Sequence, residues 1–120
     1  MSIILLKPFP DFTTGYAKVL HDNQDFNKAI ESYSCSLRTY LTCFGKDSLD
    51  VADVLTRMGK SFAMKSTFEK TLQCYDKAMR VFEYQEGFAL KEKKGLLHRE
   101  IADVLQCLDG DIFEVLEHYR

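Results

Sequence analysis

Apolar side chains recur along this chain at spacings of three and four, the repeat of one helix face, and strand-like alternation is scarce. One stripe runs Phe26, Ala29, Ile30, Tyr33, Leu37, Tyr40, Leu41 and Phe44. Gly45 follows it as a natural stop, because glycine accepts the left-handed backbone beyond a helix end. Ser48 can cap the next helix, whose stripe is Val51, Val54, Leu55, Met58 and Phe62. A further helix carries Phe68, Leu72, Tyr75, Met79 and Phe82, and another carries Leu97, Ile101, Val104, Leu105 and Leu108. Upstream, Phe12, Tyr16, Val19 and Leu20 predict a shorter helix ending at Asp22-Asn23-Gln24-Asp25. Downstream, Asp109-Gly110-Asp111 breaks the pattern before Ile112, Val115, Leu116 and Tyr119 start a last helix, and the charged residues 83–95 also read as helical. The chain is therefore expected to be all-α, with about three helix pairs.

The pairs repeat. Phe26-Asn27-Lys28-Ala29-Ile30-Glu31-Ser32-Tyr33 matches Phe68-Glu69-Lys70-Thr71-Leu72-Gln73-Cys74-Tyr75 in kind, 42 residues later. A third copy, Ile112 to Tyr119, places its tyrosine 44 residues after Tyr75. The first helices align as Tyr16-Ala17-x-x-Leu20, Met58-Gly59-x-x-Phe62 and Ile101-Ala102-x-x-Leu105. Small residues at Ala17, Gly59 and Ala102 let two helices approach, and Tyr33 and Tyr75 fill the gap to the next pair.

Leu55-x-x-Met58-Gly59-x-x-Phe62, followed by Thr71-x-x-x-Tyr75 and Ala78, resembles the tetratricopeptide repeat (TPR) pattern of large, small and aromatic positions. The period is longer than the usual 34 or so residues. With the linker Gly45-Lys46-Asp47-Ser48-Leu49-Asp50-Val51-Ala52, it is similar to the 42-residue repeats of kinesin light chains. The third copy departs from that pattern, with an extra residue around Asp109-Gly110-Asp111 and no such linker before it. The resemblance implies a right-handed α–α superhelix, a TPR-like helical solenoid. It would occupy residues 12–120 (repeats about 12–45, 48–83 and 96–120) behind an N-terminal extension, residues 1–11.

Composition narrows the function. Sixteen Lys and Arg against eighteen Asp and Glu give a net charge of −2, without the basic excess of a nucleic-acid binder. Helical-repeat RNA binders are in addition usually basic, with repeats near 35 residues. Ile3-Ile4-Leu5-Leu6 is too short for a signal peptide or a membrane span, which favours a cytoplasmic protein away from membranes. Cys35, Cys43, Cys74 and Cys107 form no C-x-x-C pair and suit reduced, helix-embedded thiols. His21, His98 and His118 fall in different helix pairs, outside any H-E-x-x-H spacing. Asp109-Gly110-Asp111 lacks the further ligands of a calcium loop. No catalytic grouping, metal site or cofactor loop is legible, so the expectation is a protein that is not an enzyme.

In stacked helix pairs the first helix of each pair lines the concave side. That places Thr14, Lys18 and His21, then Thr56, Arg57, Lys60, Ala63 and Met64, then Arg99, Asp103 and Gln106 on a groove. Lys18, Arg57, Lys60 and Arg99 make a mildly basic strip, with Asp22, Asp53, Glu100 and Asp103 near it. The partner-binding set is Lys18, His21, Thr56, Arg57, Lys60, Met64 and Arg99. Arg57 and Arg99 would clamp carboxylates, and Met64 would offer an adaptable apolar contact. The expected function is a scaffold or adaptor for a partner protein or peptide with acidic residues. The resemblance implies the same use, since kinesin-light-chain repeats bind cargo peptides in this groove. Other TPR domains grip chaperone C-termini with a Lys, Asn, Asn, Lys and Arg set; the matching helices here carry no Asn in the groove. Two alternatives come from other classes: an enzyme or thiol-redox protein, and an oligomerisation or regulatory segment of a larger repeat protein. The second is suggested by the chain stopping at Arg120, inside an expected helix and without a polar capping helix, which leaves that end open to self-association.

Overall fold

Local chemistry sets where each helix starts and stops. The computed structural model describes residues 10–85 and 88–108, and those residues contain no strand. They form α1 (Pro10–Asp22), α2 (Phe26–Phe44), α3 (Leu49–Met64), α4 (Phe68–Tyr84) and α5 (Phe88–Cys107). Asp25 caps α2, its carboxylate accepting from the Lys28 N–H at 3.5 Å. Ser48 caps α3, its hydroxyl accepting from the Val51 N–H at 3.2 Å. Gly45 ends α2 at φ +85°, and its N–H donates to the Leu41 carbonyl. Gln24 and Ser66, one in each intra-pair turn and one repeat apart, both take positive φ, at 66° and 61°. The repeat thus extends to a backbone state that most side chains avoid.

The stripes read from sequence locate the core of α2 to α5. Tyr33 and Tyr40 of α2, Val51, Val54, Leu55 and Met58 of α3, Tyr75, Met79 and Phe82 of α4, and Leu97, Ile101, Val104 and Leu105 of α5 join one buried cluster. Each helix packs chiefly on its neighbours in the chain. At Gly59 the two helices leave no room for a side chain: an added Cβ would lie 2.5 Å from the Tyr75 ring. The three small positions Ala17, Gly59 and Ala102 are all buried.

One expectation needs correction. On α1 the large residues Phe12, Tyr16 and Val19 are exposed, and Thr14 with Ala17 is buried. The smaller residues can sit against α2, so the face predicted for the groove at Thr14 is the packed one. The charged segment expected to be helical is so from Phe88 onward, where α5 begins ahead of its apolar stripe. Lys91-Glu92-Lys93-Lys94 are good helix formers, and they extend the helix on a solvated side. The expected last helix and the Asp109-Gly110-Asp111 turn lie outside the described residues.

Candidate functional site

Three adjoining cavities open along α3, and Lys60 lines all of them. The first, about 140 Å³, lies between α1 and α3 and is walled by Lys18, His21, Asp22, Tyr33, Arg57 and Lys60. The second, about 430 Å³, runs from His21 and Lys60 over Ala63, Met64, Phe68 and Tyr75 to Glu100, Asp103, Val104 and Cys107 on α5. The third, about 220 Å³, is lined by Thr56, Lys60, Leu96, Leu97 and Glu100 among others. Together they make a groove walled by α1, α3 and α5.

Helical spacing explains why these side chains meet. Thr56, Arg57, Lys60 and Met64 follow one another at one, three and four residues, so they share a face of α3. Lys18 and His21 share the facing side of α1. His21 is half-buried; its Nδ1 lies 2.8 Å from the Ser61 hydroxyl, and its ring meets Phe26 edge-on. The Thr56 hydroxyl donates to the Ala52 carbonyl of its own helix, at 2.9 Å. Arg57 Nε donates to the Asp53 carboxylate at 3.1 Å, and Lys60 Nζ lies 3.8 Å from a Glu100 oxygen, bridging α3 to α5. Both ion pairs are well exposed, so each contributes at most about 1 kcal/mol and can exchange partners.

Two buried tyrosines form the floor. Burial pushes the Tyr33 hydroxyl above its ordinary pKa; the nearby Arg57 guanidinium pulls it partly back. Burial raises Tyr75 further, and the nearby Glu100 carboxylate adds to that shift. Tyr75 therefore keeps its proton and donates to Glu100 over 3.4 Å. Burial likewise raises the Cys74 thiol, the reverse of what a reactive cysteine needs. Cys35, Cys43 and Cys107 are exposed rather than embedded, and no disulfide joins the four.

Six of the seven residues expected on the groove line it: Lys18, His21, Thr56, Arg57, Lys60 and Met64. Arg99 does not; it is exposed and lines none of the three cavities. The alignment of Met58-Gly59 with Ile101-Ala102 already carried the reason. The residue preceding that pair is Arg57 in one repeat and Glu100 in the next, so Glu100 takes the place of Arg57 on the wall, and Arg99 takes the place of Thr56, which lines only the third cavity. By the same register Asp103 stands where Lys18 and Lys60 stand, so the groove changes sign from α1 to α5. The tyrosine hydroxyls were the part that periodicity missed, because a stripe marks a side chain as buried without saying where its polar tip emerges.

Among the described residues, no group of three or more His, Cys, Asp or Glu is placed to hold a metal ion. No described helix is long and apolar enough to cross a membrane. Compared with known protein families and curated proteins, the chain matches no family model and no curated sequence.

Proposed function

We propose that this chain is a right-handed α–α superhelix of TPR-like repeats, akin to those of kinesin light chains, and that it serves as a cytoplasmic scaffold or adaptor. It holds a protein or peptide with acidic residues in the groove between α1, α3 and α5, and it is not an enzyme. The observation that supports this best is the recurrence of one arrangement at both inter-pair junctions. A buried tyrosine of one pair points its hydroxyl at a charged residue on the first helix of the next, Tyr33 at Arg57 and Tyr75 at Glu100. Such recurrence belongs to stacked repeats, in which equivalent positions line one continuous surface.

The test is fluorescence anisotropy with synthetic acidic peptides, comparing the wild type with the Arg57→Glu, Lys60→Glu double variant. Both side chains are at least partly exposed, and their ion pairs contribute little. The variant should therefore keep its melting temperature within a few degrees and lose at least about tenfold in affinity. Equal binding by both proteins ends the proposal.

A second reading, a repeat segment that stacks on further repeats, is favoured by α1. Phe12 is 77% exposed, and Tyr16 and Val19 are more than half exposed, which is unusual for large apolar residues sharing one helix side. Light scattering across a concentration series separates the two readings: a monomer at every concentration contradicts stacking.

A further inference from the structure

The groove is not uniformly basic. At its α1 end Lys18, His21, Arg57 and Lys60 stand against two carboxylates, Asp22 and Asp53, the second paired with Arg57 at 3.1 Å. At its α5 wall stand Glu100 and Asp103, with Lys93 two turns away on the same helix, lining the third cavity. Between them lies an apolar floor of Ala63, Met64, Phe68 and Val104, with Met64 60% exposed. We infer that the groove reads a peptide by the order of its charges: an acidic side chain at the α1–α3 end, an apolar one on the Met64–Phe68 floor, and a basic one against Glu100 and Asp103. This rests on the groove-binding reading above and specifies the partner's chemistry.

The internal ion pairs support the inference. Lys60 and Glu100 meet at 3.8 Å across the middle cavity, each well exposed. A ligand carrying one acid and one base can replace this pair by exchange, its acid taking Lys60 and its base taking Glu100. No groove charge is left facing apolar surface, which is the costly outcome when charged groups are desolvated. A wholly acidic ligand would free Lys60 but press carboxylate against Glu100 and Asp103, and like charges brought together at an interface suppress binding. A wholly basic ligand would meet the same penalty at Arg57 and Lys18. The hydroxyl of Tyr75 fixes the acidic wall further: it donates to Glu100 and holds that carboxylate over the cavity. The floor is adaptable, because a thioether chain can repack around different apolar side chains.

The experiment uses four sets of fluorescein-labelled peptides on the full chain: acidic–apolar–basic, basic–apolar–acidic, all-acidic and all-basic. An acidic–serine–basic control accompanies them. One of the two mixed orders should bind about tenfold tighter than either uniform set, and serine in place of the apolar residue should remove most of that advantage. The Glu100→Gln, Asp103→Asn variant keeps side-chain shape and the acceptor for Tyr75. It should bind the mixed and all-acidic peptides alike. Asp103→Asn alone, at an exposed position, serves if the double variant melts early. All-acidic peptides binding as well as mixed ones to the wild type, with Arg57→Glu still abolishing binding, would overturn the charge-order inference and leave the groove reading standing. No binding by any set would remove both.

Discussion

At the junction of α1 with α3, Tyr33 is 2% exposed and the Arg57 guanidinium lies near its hydroxyl. At the junction of α3 with α5, Tyr75 is 1% exposed and its hydroxyl meets the Glu100 carboxylate. The two tyrosines occupy equivalent places in successive repeats, and the ring is kept while the charge above it is inverted. The ring is fixed by packing: it is buried among neighbouring helices, where a small side chain would leave a cavity. The charge is exposed and contributes little to stability, so a ligand can decide it. On the proposed reading, fold and selectivity are carried on the same residues but on different atoms.

Removing the ring should be the harshest test of this equivalence. Tyr75→Ala is expected to cost about 3–5 kcal/mol, as truncation of a buried aromatic does. Tyr33→Ala should fall in the same range, both read from urea melts. A loss below about 1 kcal/mol at either site would mean that the two rings are not equivalent wedges.

Gly59→Ala separates the junctions. The new Cβ would lie 2.5 Å from Cε1 and 2.8 Å from Cδ1 of Tyr75, so the ring must move. Overpacking of this kind costs about 1–3 kcal/mol, against a helix-propensity gain of about 1 kcal/mol, and a net loss is expected. On a Tyr75→Ala background the clash is gone, and the same substitution should instead stabilise. A loss of equal size on both backgrounds would show that Gly59 is needed for something other than the ring.

Titration distinguishes the hydroxyls. Burial raises both tyrosine pKa values in the folded chain, so the folded state keeps protons that the unfolded chain releases near pH 10. The stabilising contribution is complete below about pH 10 and is lost as pH climbs toward the folded values. Tyr75→Phe should lose about 1 kcal/mol at neutral pH through the missing hydrogen bond, and should flatten the fall of stability at alkaline pH. An unchanged alkaline slope would mean that Tyr75 ionises as freely when folded as when unfolded.

Much of this was legible in the residues because it depends on local chemistry. Gly45 ends α2, Ser48 caps α3, and the stripes of α2 to α5 include most of the core. What failed did so where a neighbour decides. On α1 the large side chains look outward because in the described residues its packing is mainly against α2, a contact met by Thr14 and Ala17. Arg99 is expected on the groove because it lies opposite the apolar stripe of its helix, whereas the register set by Ala102 brings Glu100 there. A turn of about 100° per residue makes an error of one position decisive for which face a side chain occupies, and in a groove it reverses the sign of the charge.

The smallest expected effect concerns that charge. Lys60 and Glu100 lie 3.8 Å apart with side chains 51% and 40% exposed, so solvent screens the pair and side-chain entropy offsets much of its attraction. A double-mutant cycle with Lys60→Met and Glu100→Gln should give a coupling of about 0.5 kcal/mol or less, falling further as ionic strength rises. Gln at position 100 still accepts from the Tyr75 hydroxyl, so the cycle isolates the ion pair from the hydrogen bond beneath it. A coupling above about 1.5 kcal/mol would make the pair a structural strut between α3 and α5 rather than a contact that a ligand can displace. The inverted charge at the second junction would then serve the fold, and the difference between the two junctions would cease to bear on ligand choice.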